Sequence, residues 1–117
     1  VGYIGDVNPL PRNKPYITAQ YAMAGEMLGM RLILTDSGSG APSPPDPKFI
    51  STVRKALSRD TIYIYAGGVK NHKQAGDLIR AGAQGIHVGT AFENARKVSE
   101  KVRKFSEAMR KEGERFV

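Results

Sequence analysis

The 117 residues carry 18 Lys and Arg against 11 Asp and Glu, a net charge of +7, with 40% hydrophobic and 25% charged residues. That is room for one globular domain with a packed core, and the composition argues against a disordered or low-complexity chain. Cysteine is absent and only two histidines occur, which excludes disulfides, thiolate metal sites, cysteine nucleophiles and, in effect, zinc chemistry.

Residues 1–12, with Gly2, Gly5, Pro9 and Pro11, read as a leader loop. Their start lacks the basic-then-apolar order of a signal peptide, and no apolar run approaches the roughly 20 residues that span a bilayer, so the expected compartment is the cytoplasm. Asn13 and Pro15 mark a helix start, Tyr21, Ala24 and Leu28 share one face, and Gly29 supplies the stop. Three β-rich stretches follow, Arg31–Thr35, Thr61–Tyr65 and Gly85–Val88, each running into a glycine-bearing turn and then a helical pattern. Asp46 and Pro47 predict the start of a helix carrying Phe49, Ile50, Val53, Ala56 and Leu57. Asn71 predicts the cap of a helix carrying Ala75, Leu78 and Ile79, with Gly82 to end it. Gly89-Thr90 is expected to open one long helix, with Ala95, Val98, Val102, Phe105 and Met109 stepping by 3 and 4 on a face that is buried.

Alternating helices and strands predict right-handed crossovers and a parallel sheet. Three parallel strands leave two open edges, and a closed (β/α)8 barrel normally needs about 250 residues. The chain therefore reads as a small open α/β domain or, as we favour, the C-terminal part of a TIM barrel, incomplete alone, whose other strands are supplied elsewhere.

Ser37-Gly38-Ser39-Gly40, Gly67-Gly68 and Gly89-Thr90 all fall at the C-terminal ends of expected strands, the edge at which parallel α/β folds bind ligands. Glycine lets backbone N–H groups approach an oxyanion closely, so three such turns in sequence point to a shared phosphate site, with Lys70 adding charge. Any one of them is equally a tight βα connection, with Ser39 and Thr90 as turn or cap residues. Asp36 either accepts from a substrate hydroxyl as a weak base or closes an Asx turn. His72 is expected to be exposed. His87, inside a strand, is expected to be a structural histidine.

Between Asn94 and Val117 eight basic and four acidic residues make residues 93–117 a basic amphipathic terminal helix. A solvated face accounts for it, and aromatics are not interleaved as nucleic-acid stacking would require, so no nucleic-acid partner is expected. Peripheral contact with an anionic membrane surface stays open.

The run Arg31-Leu32-Ile33-Leu34-Thr35-Asp36-Ser37-Gly38-Ser39-Gly40-Ala41, followed by Ala66-Gly67-Gly68-Val69-Lys70 and by Gly82 through Gly89-Thr90 to Glu93, resembles the C-terminal half of geranylgeranylglyceryl phosphate synthase and its bacterial heptaprenylglyceryl relatives. Gly5-Asp6, Pro11 to Pro15, Tyr21 to Ala24 and Leu28 to Met30 fit the same pattern. The resemblance implies a TIM-barrel prenyltransferase of ether-lipid synthesis, joining the C3 hydroxyl of sn-glycerol 1-phosphate to a polyprenyl diphosphate with Mg2+ assistance. Leu34, Thr35, Asp36, Ser37, Gly38, Ser39, Gly40, Gly67, Gly68, Gly89 and Thr90 would then hold glycerol 1-phosphate, with Asp36 as the catalytic carboxylate. The family has tyrosine at Leu34, glutamate at Asp36, a third glycine at Ala66 and arginine at Lys70. Its magnesium-binding aspartate and much of its prenyl groove belong to the N-terminal half, so the chain is expected to be inactive alone and to act with a complementary half or as a homo-oligomer. Other expectations consistent with the residues are a noncatalytic phosphate-binding or oligomerising fragment and a different phosphate-binding barrel enzyme.

Overall fold

The capping signals govern where the elements begin and end. A computed structural model describes residues 6–93 and 95–116; residues 1–5 of the expected leader lie outside them, and residues 6–12 form no helix or strand. Helix α1 (Pro15–Met27) starts on proline and ends at Gly29, where φ is +90° and the N–H groups of Gly29 and Met30 donate to the carbonyls of Glu26 and Gly25. Strand β1 (Leu32–Asp36) follows. Helix α2 (Pro47–Ala56) is capped by Asp46, whose carboxylate accepts from Lys48 N–H at 2.7 Å. Strand β2 (Ile62–Ala66) leads to helix α3 (His72–Arg80), capped by Asn71 accepting from Gln74 N–H and closed at Gly82, φ +118°. Strand β3 (Gly85–His87), a short helix α4 (Thr90–Glu93), helix α5 (Val98–Gly113) and a 3-10 turn (Glu114–Phe116) complete the described chain.

The strands are parallel in the order β1-β2-β3. The register pairs Ile33 with Tyr63 and Thr35 with Tyr65 on one face, and Leu34 with Ile64 and Asp36 with Ala66 on the other. The first face carries the core: Ile33, Tyr63 and Tyr65 pack with Phe49, Ile50, Val53, Ala75, Leu78 and Phe105. Here Thr35 Oγ1 and the Tyr63 hydroxyl share a hydrogen bond of 2.8 Å, and Tyr65 donates to Ser37 Oγ at 2.8 Å. The second face is apolar but uncovered, with Leu32, Leu34 and Ile62 each at least two-fifths exposed. Among the described residues no strand pairs with the outer edge of β1 or of β3. This is the architecture of a partial barrel whose helices clothe the outside and whose inward face awaits further strands.

At the N-terminal ends of the strands, the Glu26 carboxylate accepts from Ser58 N–H and Oγ and from Thr61 Oγ1, which holds its pKa below the usual carboxylate range. Arg54 donates to the carbonyls of Thr61 and Ser58 beside it. Helix α5 is tied to α3 by a two-pronged pair, Arg80 Nε and Nη2 to Glu112 at 2.9 and 3.0 Å, with Arg115 3.1 Å from the same carboxylate.

Three expectations are corrected. On α1 the buried residues are Thr18, Ala19 and Ala22, while Tyr21 and Leu28 are 66% and 80% exposed; small side chains let this helix approach α2 and β1 closely. The expected single terminal helix is two helices, with Ala95 between them. Phe92 on α4 and Phe105 on α5 stack edge to face at 5.0 Å, which one straight helix forbids because it would hold them about 20 Å apart. Of the 3-4 stripe only Phe105 is buried and Met109 partly so, while Val98 and Val102 stay more than two-fifths exposed because the inner side of α5 lacks a neighbour. Among the described residues no helix is long and apolar enough to cross a membrane.

Candidate functional site

The C-terminal edge of the sheet gathers two of the three glycine turns into direct contact. Asp36 ends β1, and its Oδ1 accepts from Gly38 N–H at 2.7 Å, so the carboxylate closes an Asx turn. The Gly67-Gly68 turn, with φ of +94° and +72°, lies against it. A β-carbon on Gly67 would stand 2.9 Å from Asp36 Oδ1 and from the Gly38 backbone, and one on Gly68 would stand 2.6 Å from the Ser43 carbonyl. Both positions therefore demand glycine for conformation and for space. Ser37 N–H donates to Ala66 O, joining the two turns, and Arg12 holds the same loop from outside through Ser43 O at 2.9 Å.

Beside these turns opens a cavity of about 1610 Å³ that runs along the free edge of β3, with α5 as its far wall. Asp36, Ser39, Gly40, Gly67, Gly68, Gly89 and Thr90 all line it, so all three turns face one space. The other expected site residues are placed differently. Leu34 is on the uncovered face of the sheet. Thr35 is buried against Tyr63 on the opposite face, and the Ser37 hydroxyl is engaged by Tyr65. Burial pushes the Tyr63 phenol up to about 12 and raises Tyr65 as well, so both stay neutral.

Charge in the cavity wall favours an anion: Arg54, Arg59, Lys70, Lys101 and Arg110 line it against the carboxylates Asp36 and Glu93. Lys101 was not singled out by sequence reasoning because no motif marks it; its Nζ donates to Ala91 O at 2.7 Å and braces α4 against α5. His87 was expected to be structural, yet it is exposed and lines the cavity. Three residues of strand are too few for alternation to reveal which face a side chain takes; the register with β2 does so. His72 is exposed, as expected. Acidic residues of α5 partly neutralise its basic ones, Glu100 with Lys104 at 2.8 Å and Glu107 with Arg103 at 2.9 Å.

Among the described residues no three His, Asp or Glu side chains converge as metal ligands. A magnesium ion prefers octahedral oxygen ligands, commonly one or two carboxylates with phosphate and water. Asp36 and Glu93, on different walls, do not compose such a set.

The fold and site define an incomplete (β/α) barrel whose glycine turns crowd the ligand-binding end of its strands. The chain belongs to the PcrB family, whose model matches residues 1–109. It is 46% identical over 99 residues to geranylgeranylglyceryl phosphate synthase of Pyrococcus furiosus, covering 85% of this chain and 39% of that protein. The Methanothermobacter marburgensis protein of the same name is 45% identical over 102 residues, covering 87% and 41%. The crystal structure of (S)-3-O-geranylgeranylglyceryl phosphate synthase from Thermoplasma acidophilum, in complex with substrate sn-glycerol-1-phosphate, superposes with a TM-score of 0.87 at 28% identity, over 94% of this chain and 44% of that one. The chain thus spans about two-fifths of the length of the curated relatives it matches.

Proposed function

We propose that this chain carries the glycerol-phosphate-binding part of a prenyltransferase that joins the C3 hydroxyl of sn-glycerol 1-phosphate to a polyprenyl group drawn from polyprenyl diphosphate. The observation that carries the reading is the contact between the Asp36–Gly38 turn and the Gly67-Gly68 turn beside a cation-rich cavity. With Gly38 N–H spent on Asp36 and Ser37 N–H on Ala66 O, the remaining glycine amides of the two turns suit a phosphate dianion, and Ser39 and Thr90 add hydroxyls at the same opening.

Asp36 is the carboxylate nearest these turns. Its Oδ1 is occupied by Gly38 N–H, while among the described residues Oδ2 has no protein partner and is the acceptor for a glycerol hydroxyl. As the hydroxyl oxygen bonds to the allylic carbon, the bond from that carbon to the diphosphate breaks, pyrophosphate leaves, and the hydroxyl proton passes by way of Asp36 to water. The work of the site is positioning and electrostatic stabilisation rather than covalent catalysis. Magnesium, implied by the family resemblance, would be held by residues other than those described and would help neutralise the diphosphate leaving group.

Calorimetric titration with sn-glycerol 1-phosphate, its 3-phosphate enantiomer and inorganic phosphate tests the binding half of the proposal. Preference for the 1-phosphate is expected; a folded chain that binds none of the three overturns it. Prenyl transfer is tested by adding the complementary N-terminal portion of a relative and assaying product.

A second reading, self-association through a noncatalytic surface, is favoured by the uncharged outer side of α1, where Tyr16, Met23 and Met27 are all more than two-fifths exposed. Sedimentation as a monomer at micromolar concentration overturns it.

A further inference from the structure

His87 lines the cavity at the free edge of the sheet. The register pairs Asp36 with Ala66 and Ala66 with His87, so the three residues lie at one level of the sheet and on its uncovered face. Two strand spacings separate the outer members, which puts their backbones roughly 10 Å apart. Between them Ala66 contributes only a methyl group, and the Gly67-Gly68 turn rises directly from it. A small anion seated on that turn, with its hydroxyl end toward Asp36, has the imidazole on its other flank.

His87 is unusual for a strand histidine. It is neither packed into the core nor, among the described residues, hydrogen-bonded by its ring to any protein group, and it faces the cavity. A neutral imidazole offers one N–H donor; an imidazolium offers two and a positive charge. We propose that His87 is a ligand-positioning residue that contacts the phosphate end of the substrate and makes anion affinity rise as the imidazole protonates. The proposal rests on the anion-binding reading above and adds to it a second flank opposite Asp36. The other charged groups facing this space are Asp36 on β1, Lys70 beyond β2, Glu93 on α4, and Lys101 and Arg110 on α5, with Arg54 and Arg59 at its far end. Among these groups, imidazole is the one chemical class whose charge ordinarily changes between about pH 5.5 and 8.5.

Sulfate is the probe, because it remains a dianion across this range whereas a phosphate monoester titrates within it. Calorimetry with the 117-residue chain should find sulfate bound about 5-fold more tightly at about pH 5.5 than at about pH 8.5, the size expected of one solvent-accessible ion pair. His87→Gln should lose most of that difference, and His87→Lys should bind at both pH values nearly as tightly as the parent does at the lower one. Retention of the parent's pH dependence by either variant overturns the role of His87 while leaving the anion site standing. Failure of the folded parent to bind sulfate and sn-glycerol 1-phosphate at both pH values overturns the anion site and this inference together.

Discussion

Gly68 backs directly onto Ser43: a β-carbon at that position would lie 2.6 Å from both the carbonyl carbon and oxygen of Ser43 and 2.9 Å from Pro44 N. The obstruction is backbone, which cannot swing aside, and φ is +72°. Gly68→Ala should therefore displace the loop that precedes α2, lowering stability by about 1–3 kcal/mol. It should also weaken sn-glycerol 1-phosphate binding by at least about tenfold. Thermal melts and calorimetry on the same preparation check the two effects separately. Gly38, whose β-carbon would meet nothing within 4 Å, should lose less binding on the same substitution.

Tyr63 and Thr35 form a closed polar pair inside the core, 2.8 Å apart and with no water-facing alternative for Tyr63, which is fully buried. Tyr63→Phe leaves the Thr35 hydroxyl without its partner and should cost about 1–2 kcal/mol. Adding Thr35→Val should return part of that loss, with a coupling energy of about 0.5–1.5 kcal/mol in a double-mutant cycle by urea unfolding. Strict additivity would show the pair to be energetically idle.

Glu112 joins α5 to α3 through Arg80, and the hydrogen bonds from Arg80 keep its carboxyl below the ordinary value of 4.5. A depressed folded-state pKa means that the stabilisation is fully present above about pH 4.5 and is lost as the pH falls through the lowered value. Glu112→Gln should lower the melting temperature at neutral pH, and the parent and variant curves should converge in acid. A constant gap across about pH 2–7 would assign the effect to packing against Gly76 instead.

Phe105 is 3% exposed and meets Phe92 edge to face. Phe105→Ala should cost about 3–5 kcal/mol and Phe105→Leu about 1–2 kcal/mol, read as shifts in urea midpoint. Because this pair fixes α4 beside the cavity, the leucine variant should also lose affinity for sn-glycerol 1-phosphate while remaining folded.

Much of this architecture is written in short-range chemistry. Asp46-Pro47, Asn71, Gly29 and Gly82 mark helix ends where local hydrogen bonds close them, and those ends are read correctly from the residues alone. The parallel order of the strands follows from their spacing and intervening helices. What fails to show locally is partner-dependent. Tyr21 and Leu28 share a helical face, but Ala19 and Ala22 win the buried side because closeness to α2 matters more there than apolar area. The break before Val98 answers to Phe92 finding Phe105, a contact that no periodicity contains. Likewise Gly67 looks like any turn glycine until Asp36 is seen pressed against it, and His87 looks structural until β2 sets its face.

Alternate residues of the same short strands answer to different demands. Ile33, Thr35, Tyr63 and Tyr65 face the helices and hold the domain together, whereas Asp36, Ala66 and His87 face away from them and carry little of that burden. Under the anion-binding proposal, ligand preference should respond to the second set, with Asp36 also holding its turn through Gly38, while the helix-packed core answers to the first.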